Sequence, residues 1–195
     1  IPDSVIKSMM PEEEVMKHRK RALDSDNPVI KGTAQNPDVF FQARESANTF
    51  YQKVPEIVQD TMDEFYKQTG RRYSLFHYVG HPEAEKVIII MGSGEGPVNE
   101  TIDTLVEQGE KVGALFVRLY RPFSVYDFIK KIPKSVKKIA VLDRTKEPGS
   151  TGEPLYQDVI TSFAESTRKM PVIVGGRYGL SSKEFTPAMV QGLFV

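Results

Sequence analysis

Hydrophobic and polar positions in the second half of the chain alternate between strand-length apolar runs and helical stripes. Val87 to Met91 is an unbroken apolar run rich in β-branched residues, which is typical of a strand buried on both faces. A glycine-rich turn follows, and the next apolar positions recur at helical spacing: Val98, Ile102, Leu105 and Val106. A second apolar run, Val112 to Leu119, completes the unit. This pattern of strand, glycine turn, helix and strand predicts a parallel pair with a right-handed crossover.

Two further apolar runs extend the same pattern towards the C-terminus. Ile139–Leu142 and Val172–Val174 are each preceded by a helix-length segment, so we predict that all four runs are neighbouring strands of one sheet, parallel throughout. Arg72–Val79 alternates apolar and polar residues and predicts an antiparallel edge strand. Residues 71–195 therefore predict an α/β domain with a mainly parallel sheet flanked by helices.

Residues 1–70 carry helical patterns and no clear strand pattern, which predicts a helical arm. Its strongest feature is an apolar stripe that ends at Gly70 and consists of Val54, Ile57, Val58, Met62 and Phe65. An exposed stripe of this size favours aggregation. We therefore expect these side chains to be buried, either on the sheet domain or against another chain.

Short polar residues mark several helix starts. Ser124 and Asp127 form a variant of the capping box, and Thr186 stands before Pro187 at the start of the last helix. Asn36 stands before Pro37 in the same way. Each of these residues is expected at an N-cap.

Composition and charge exclude several classes of function. Lys+Arg and Asp+Glu both number 26, and this balance argues against general binding to nucleic acids or membrane surfaces. Cysteine is absent, so the chain itself offers no disulfide, thiolate nucleophile or thiolate-held cluster. No apolar run is long enough for a membrane helix. The chain begins at Ile1 without a signal-peptide pattern, and we expect a processed product or a piece of a longer protein.

The glycine turn is the first candidate binding site. Gly92, Ser93 and Gly94 stand where a strand leads into a helix N-terminus, and backbone N–H groups there can hold a phosphate or carboxylate. The turn lacks the full dinucleotide-binding spacing, and Glu95 would repel a phosphate. A plain tight turn is the alternative interpretation.

Charged residues at the other strand ends form a second candidate set. Arg118 and Arg121 follow one predicted parallel strand, while Asp143, Arg144 and Lys146 follow the next. Ligands of open α/β sheets bind at this edge, and two arginines there could hold a phosphate. They could equally pair with carboxylates of another domain. The three histidines have no metal-binding spacing, and no catalytic residues can be identified from the sequence.

Five runs, taken together, resemble one enzyme family. They occur in family order: Gly32-Thr-Ala-Gln-Asn-Pro-Asp-Val-Phe-Phe-Gln-Ala-Arg-Glu, Val117-Arg-Leu-Tyr-Arg-Pro-Phe-Ser, Ile139-Ala-Val-Leu-Asp-Arg-Thr-Lys-Glu-Pro-Gly, Gly152-Glu-Pro-Leu-Tyr and Gly175-Gly-Arg-Tyr-Gly-Leu-Ser-Ser-Lys-Glu-Phe-Thr-Pro. The sequence resembles pyruvate:ferredoxin (flavodoxin) oxidoreductase from about Pro28 to its C-terminus.

The resemblance implies a large cytoplasmic enzyme of anaerobic metabolism that oxidises pyruvate with coenzyme A to acetyl-CoA and carbon dioxide. Electrons pass to ferredoxin or flavodoxin, and the parent enzyme uses thiamine diphosphate, magnesium and iron–sulfur clusters. By this resemblance residues 71–195 are similar to the transketolase C-terminal-like domain, and residues 1–70 to the tail of the preceding pyrimidine-binding domain. The partners implied are the remaining domains of a homodimeric parent.

No ligand of those cofactors can be transferred to a position in this sequence, so we expect none in residues 1–195 and an inert isolated chain. Two hypotheses remain open. The chain is either a scaffold domain of this oxidoreductase, with Arg121, Asp143, Arg144 and Lys146 as interdomain contacts, or a free-standing phosphate- or nucleotide-binding module built on the Gly92–Gly96 turn.

Overall fold

The structure, a computed structural model, describes residues 1–30, 32 and 34–195. The chain divides into two compact units, Ile1–Tyr73 and Ser74–Val195. Thr33, in the first of the five runs that resemble the family, lies outside the described residues. Within the described part of the chain, no helix has the length and apolar character needed to cross a membrane.

The first unit is helical. Its helices are α1 (Asp3–Met9), α2 (Glu12–Arg19), α3 (Pro37–Ser46), α4 (Asn48–Tyr51) and α5 (Val54–Thr69). Asn36 occupies the N-cap of α3 as expected, but its side chain makes no capping hydrogen bond. Gly70 ends α5 in the left-handed conformation at φ 72°, where a side chain would be strained.

Within the helical unit itself, the α5 stripe is not buried. No residue of α5 is buried, and Ile57 is 58% exposed. Phe65 is half-buried and packs on Tyr73, with 5.9 Å between ring centroids. The helix itself was predicted correctly. A single amphipathic helix cannot bury its apolar stripe without another apolar surface to pack against.

The second unit contains the sheet and the remaining helices. They are β1 (Phe76–Gly80), β2 (Lys86–Ile90), α6 (Glu95–Glu107), β3 (Val112–Val117), α7 (Val125–Lys131), β4 (Lys138–Asp143), α8 (Pro154–Glu165), β5 (Val172–Arg177) and α9 (Pro187–Gln191), with a 3-10 turn at Leu180–Ser182. The side chains of Ser124 and Thr186 accept hydrogen bonds from the backbone N–H groups of Asp127 and Met189, as the sequence predicts for N-caps.

The sheet confirms the predicted topology. Its strand order is β1-β3-β2-β4-β5; β3, β2, β4 and β5 are mutually parallel, and β1 is an antiparallel edge strand. The largest differences from the predicted boundaries are that β1 begins only at Phe76, β3 ends at Val117, and β5 continues through Gly175 and Gly176 to Arg177. Those two glycines remain in the strand because β4 supplies the pairing, opposite Val141 and Leu142.

Two apolar layers cover the central strands. On one face Ile88 and Ile90 pack with Val98 and Ile102 of α6 and with Val190 of α9. On the other face, buried side chains of β2 and β4 lie on the side of α7 and α8, whose aromatic residues Phe128 and Phe163 pack edge to face. The core thus fixes the carboxyl ends of four parallel strands along one edge of the sheet.

Candidate functional site

The candidate residues converge on the carboxyl edge of the parallel sheet. Each set follows a different strand: Gly92–Gly94 after β2, Arg118 and Arg121 after β3, Asp143 at the end of β4, and Arg144 and Lys146 beyond it. Parallel strands bring their carboxyl ends to one edge, which is why separated sequence positions meet here.

The glycine turn is closed by a tyrosine from another strand end. Gly92 has φ 83°, and a Cβ on Gly94 would lie 2.6 Å from Cδ1 of Ile90 and 3.0 Å from Cε2 of Tyr178. The Tyr178 hydroxyl donates a 2.7 Å hydrogen bond to the carbonyl of Met91. A side chain at 94 would displace Cδ1 of Ile90 and crowd the Tyr178 ring, and these contacts favour glycine at this position.

The N-terminus of α6 already faces a carboxylate. Glu95 lies in the first turn of α6, and both its oxygens accept from Arg118, at 2.6 Å to Nη2 and 3.3 Å to Nη1. A carboxylate is favoured at the positive end of a helix, and the two-point guanidinium pair holds it in place. A phosphate at this turn would meet the charge of Glu95 at close range, which favours the structural interpretation of the turn.

Arg121 links the segment after β3 to α8. Its Nη2 lies 2.8 Å from Oδ2 of Asp158, and its guanidinium stacks 3.9 Å from the centroid of the Tyr120 ring. Arg121 also donates to the Tyr120 hydroxyl at 3.0 Å. Burial, together with a hydrogen bond to Asp158, raises the pKa of Tyr120 to about 12.

Asp143 holds the start of α8. Its carboxylate accepts from the backbone N–H groups of Leu155 at 2.9 Å and Tyr156 at 3.1 Å, and the residue is 1% exposed. Burial raises the pKa of Asp143 above its ordinary value, although the two N–H donors act in the opposite direction. This acidic side chain caps a helix from outside that helix.

Arg144 bridges the glycine turn and the loop after β5. It donates from Nη1 to the Ser93 hydroxyl at 2.8 Å and from Nε to the Gly179 carbonyl at 3.1 Å. The two loops lie at the carboxyl ends of β2 and β5, so the two hydrogen bonds of Arg144 connect them across β4, the strand between.

Lys146 approaches a buried carboxylate that the sequence did not identify as a site residue. Glu153 is 4% exposed in its side chain; Arg177 lies 2.6 Å and Lys146 3.7 Å from its Oε1. Oε2 accepts from the backbone N–H of Glu147 at 2.7 Å. The position of Glu153 just before Pro154 marks the start of α8, but its partners lie up to 24 residues away, so the sequence offers no signal for the pairing.

Hydrogen bonds and ion pairs connect the charged side chains of this edge to one another and to backbone groups. Each charged candidate has a partner within the same unit. The ion pairs join the segment after β3 to α6 through Arg118–Glu95 and to α8 through Arg121–Asp158, and they join Lys146 to Glu153 at the start of α8, while Arg144 donates a hydrogen bond to Ser93 in the turn after β2. Across residues 1–30, 32 and 34–195, no three His, Asp or Glu side chains converge in a way that could hold a metal ion.

Two family models cover most of the chain. The one described as pyruvate:ferredoxin oxidoreductase core domain II matches residues 84–188, more than half of the chain. The one described as pyruvate flavodoxin/ferredoxin oxidoreductase, thiamine diphosphate-binding, matches residues 1–63.

Curated relatives align along nearly the whole chain. The pyruvate-flavodoxin oxidoreductase of Trichormus variabilis is 57% identical over 96% of the chain, and that of Rhodospirillum rubrum is 55% identical over 98%. The pyruvate:ferredoxin oxidoreductase of Moorella thermoacetica is 56% identical over 90% of the chain. The chain spans 16%, 17% and 15% of the lengths of these proteins, respectively.

A solved structure shares the fold. It is a 2-oxoglutarate:ferredoxin oxidoreductase from Magnetococcus marinus with 2-oxoglutarate, coenzyme A and succinyl-CoA bound. The match has a TM-score of 0.54 at 22% identity and covers 84% of this chain and 24% of that one. With the matches in sequence and in fold, the chain belongs to the pyruvate:ferredoxin oxidoreductase core domain II family.

Proposed function

We propose that this chain is a scaffold region of a pyruvate:ferredoxin or pyruvate:flavodoxin oxidoreductase. The parent enzyme would oxidise pyruvate with coenzyme A to acetyl-CoA and carbon dioxide and pass the electrons to ferredoxin or flavodoxin. Identity above 50% to proteins with those names supports this assignment. Family membership also underlies the proposal of a cytoplasmic homodimer.

The proposal assigns the two parts of the chain to two different domains of the parent enzyme. Residues 1–70 would form the tail of the preceding pyrimidine-binding domain, and the match of residues 1–63 to a thiamine diphosphate-binding family supports this. Residues 71–195 would form the transketolase C-terminal-like domain that holds its neighbours in register. The observation that carries the scaffold role is the bonded carboxyl edge, where arginines and carboxylates fix loops to helices.

Thiamine diphosphate, magnesium and the iron–sulfur clusters would be held elsewhere in the parent. The residues of the carboxyl edge do not fit a magnesium diphosphate. The Glu95–Arg118 pair stands at the α6 N-terminus, and the buried Asp143 carboxylate is committed to two backbone donors. The chain also has no cysteine with which to hold a cluster.

The test is an assay of the full-length protein in anaerobic buffer. We expect coenzyme A-dependent reduction of a viologen dye when pyruvate is added with thiamine diphosphate and magnesium. Ferredoxin and flavodoxin are then compared as acceptors. Activity with another 2-oxoacid and none with pyruvate would contradict the proposed substrate, while full activity from residues 1–195 alone would contradict the scaffold role.

A further inference from the structure

We draw no further inference here: the strongest candidate, the exposed turn after β5 in which Ser181 and Ser182 both adopt left-handed backbone conformations at φ 49° and 59°, rests on backbone strain alone, and nothing in the described part of the chain shows what its two hydroxyl groups would bind.

Discussion

At the scale of single residues, the most consequential side chain is a carboxylate that caps a helix from a neighbouring strand. Replacing Asp143 with Ala leaves the buried N–H groups of Leu155 and Tyr156 without an acceptor. We expect Asp143→Ala to lower the free energy of unfolding by about 1–2 kcal/mol. The control Asp103→Ala, at an exposed position of α6, should change it by less than about 0.5 kcal/mol. Denaturant titration of both variants provides the comparison, and equal effects would remove the capping role.

Glu153 makes the folding stability of the chain depend on pH. Burial acts to raise its pKa, but the hydrogen bond from Arg177 and that from the Glu147 N–H, aided by the charges of Arg177 and Lys146, bring the pKa below its ordinary value of 4.5. A carboxyl group with a lowered folded-state pKa contributes stability above its unfolded pKa, and that contribution is lost as the pH falls through the folded value.

Glu153→Gln removes this titration. The stability advantage of the wild-type chain over the variant should be constant above about pH 5 and should shrink as the pH falls below the ordinary value of 4.5. The measurement is the denaturant midpoint of both proteins between about pH 3 and 7. A difference that does not change with pH would show that Glu153 acts through packing alone.

At the scale of elements, the parallel strands were predictable and the extent of burial was not. Runs such as Val87–Met91 are apolar at every position, which is enough to predict a strand buried on both faces. Val172 and Val174 gave the same signal, yet on the edge strand β5 they are 62% and 56% exposed. The spacing of apolar residues in a segment indicates whether it forms a strand or a helix, but not which other elements cover it.

The candidate site was also predictable only in part. Arg118, Arg121 and Asp143 could be placed at one edge because the strand ends could be predicted. Their partners could not: Arg118 pairs with Glu95, 23 residues away, and Arg121 with Asp158 on α8, beyond both α7 and β4 in the chain. Such pairings depend on the twist and spacing of the sheet, which sequence spacing does not encode.

The α5 stripe provides a prediction about the helical unit. Its side chains are half-buried or exposed, and among the described residues every buried hydrophobic side chain lies at Leu75 or beyond. Phe65→Glu should therefore improve the solubility of residues 1–195 while leaving the unfolding of the sheet unit unchanged. Ile102→Ala, at a fully buried position of α6, should instead lower its free energy of unfolding by about 2–4 kcal/mol.

Sedimentation and near-ultraviolet circular dichroism during thermal unfolding distinguish these results. If Phe65→Glu destabilises the chain as Ile102→Ala does, the stripe is local core and not a surface that another chain covers.

At the scale of the whole molecule, residues 1–195 should be catalytically inert. Oxidative decarboxylation needs thiamine diphosphate as an electron sink, and electron transfer needs clusters, for which the chain has no cysteine. The purified chain should be colourless. It should show no pyruvate-dependent viologen reduction with thiamine diphosphate, magnesium and coenzyme A supplied, whereas the full-length protein assayed in parallel serves as the positive control. Turnover by the short chain would contradict this prediction.

The central claim is that the carboxyl edge orders the domain and does not bind substrate, and Arg121 tests it most directly. Its side chain is half exposed and links to Asp158 and Tyr120. In the full-length enzyme, Arg121→Ala should lower the midpoint of thermal unfolding. The decrease should correspond to a loss of about 1 kcal/mol in the free energy of unfolding. Arg121→Lys, which keeps the charge and loses the planar stack, should have an intermediate effect.

The deciding measurement is the thermal unfolding midpoint of Arg121→Ala, determined beside its Michaelis constants for pyruvate and coenzyme A. The scaffold account predicts a lower midpoint with both constants within about twofold of wild type. A rise of about tenfold or more in either constant with an unchanged midpoint would contradict it and make this edge a substrate site.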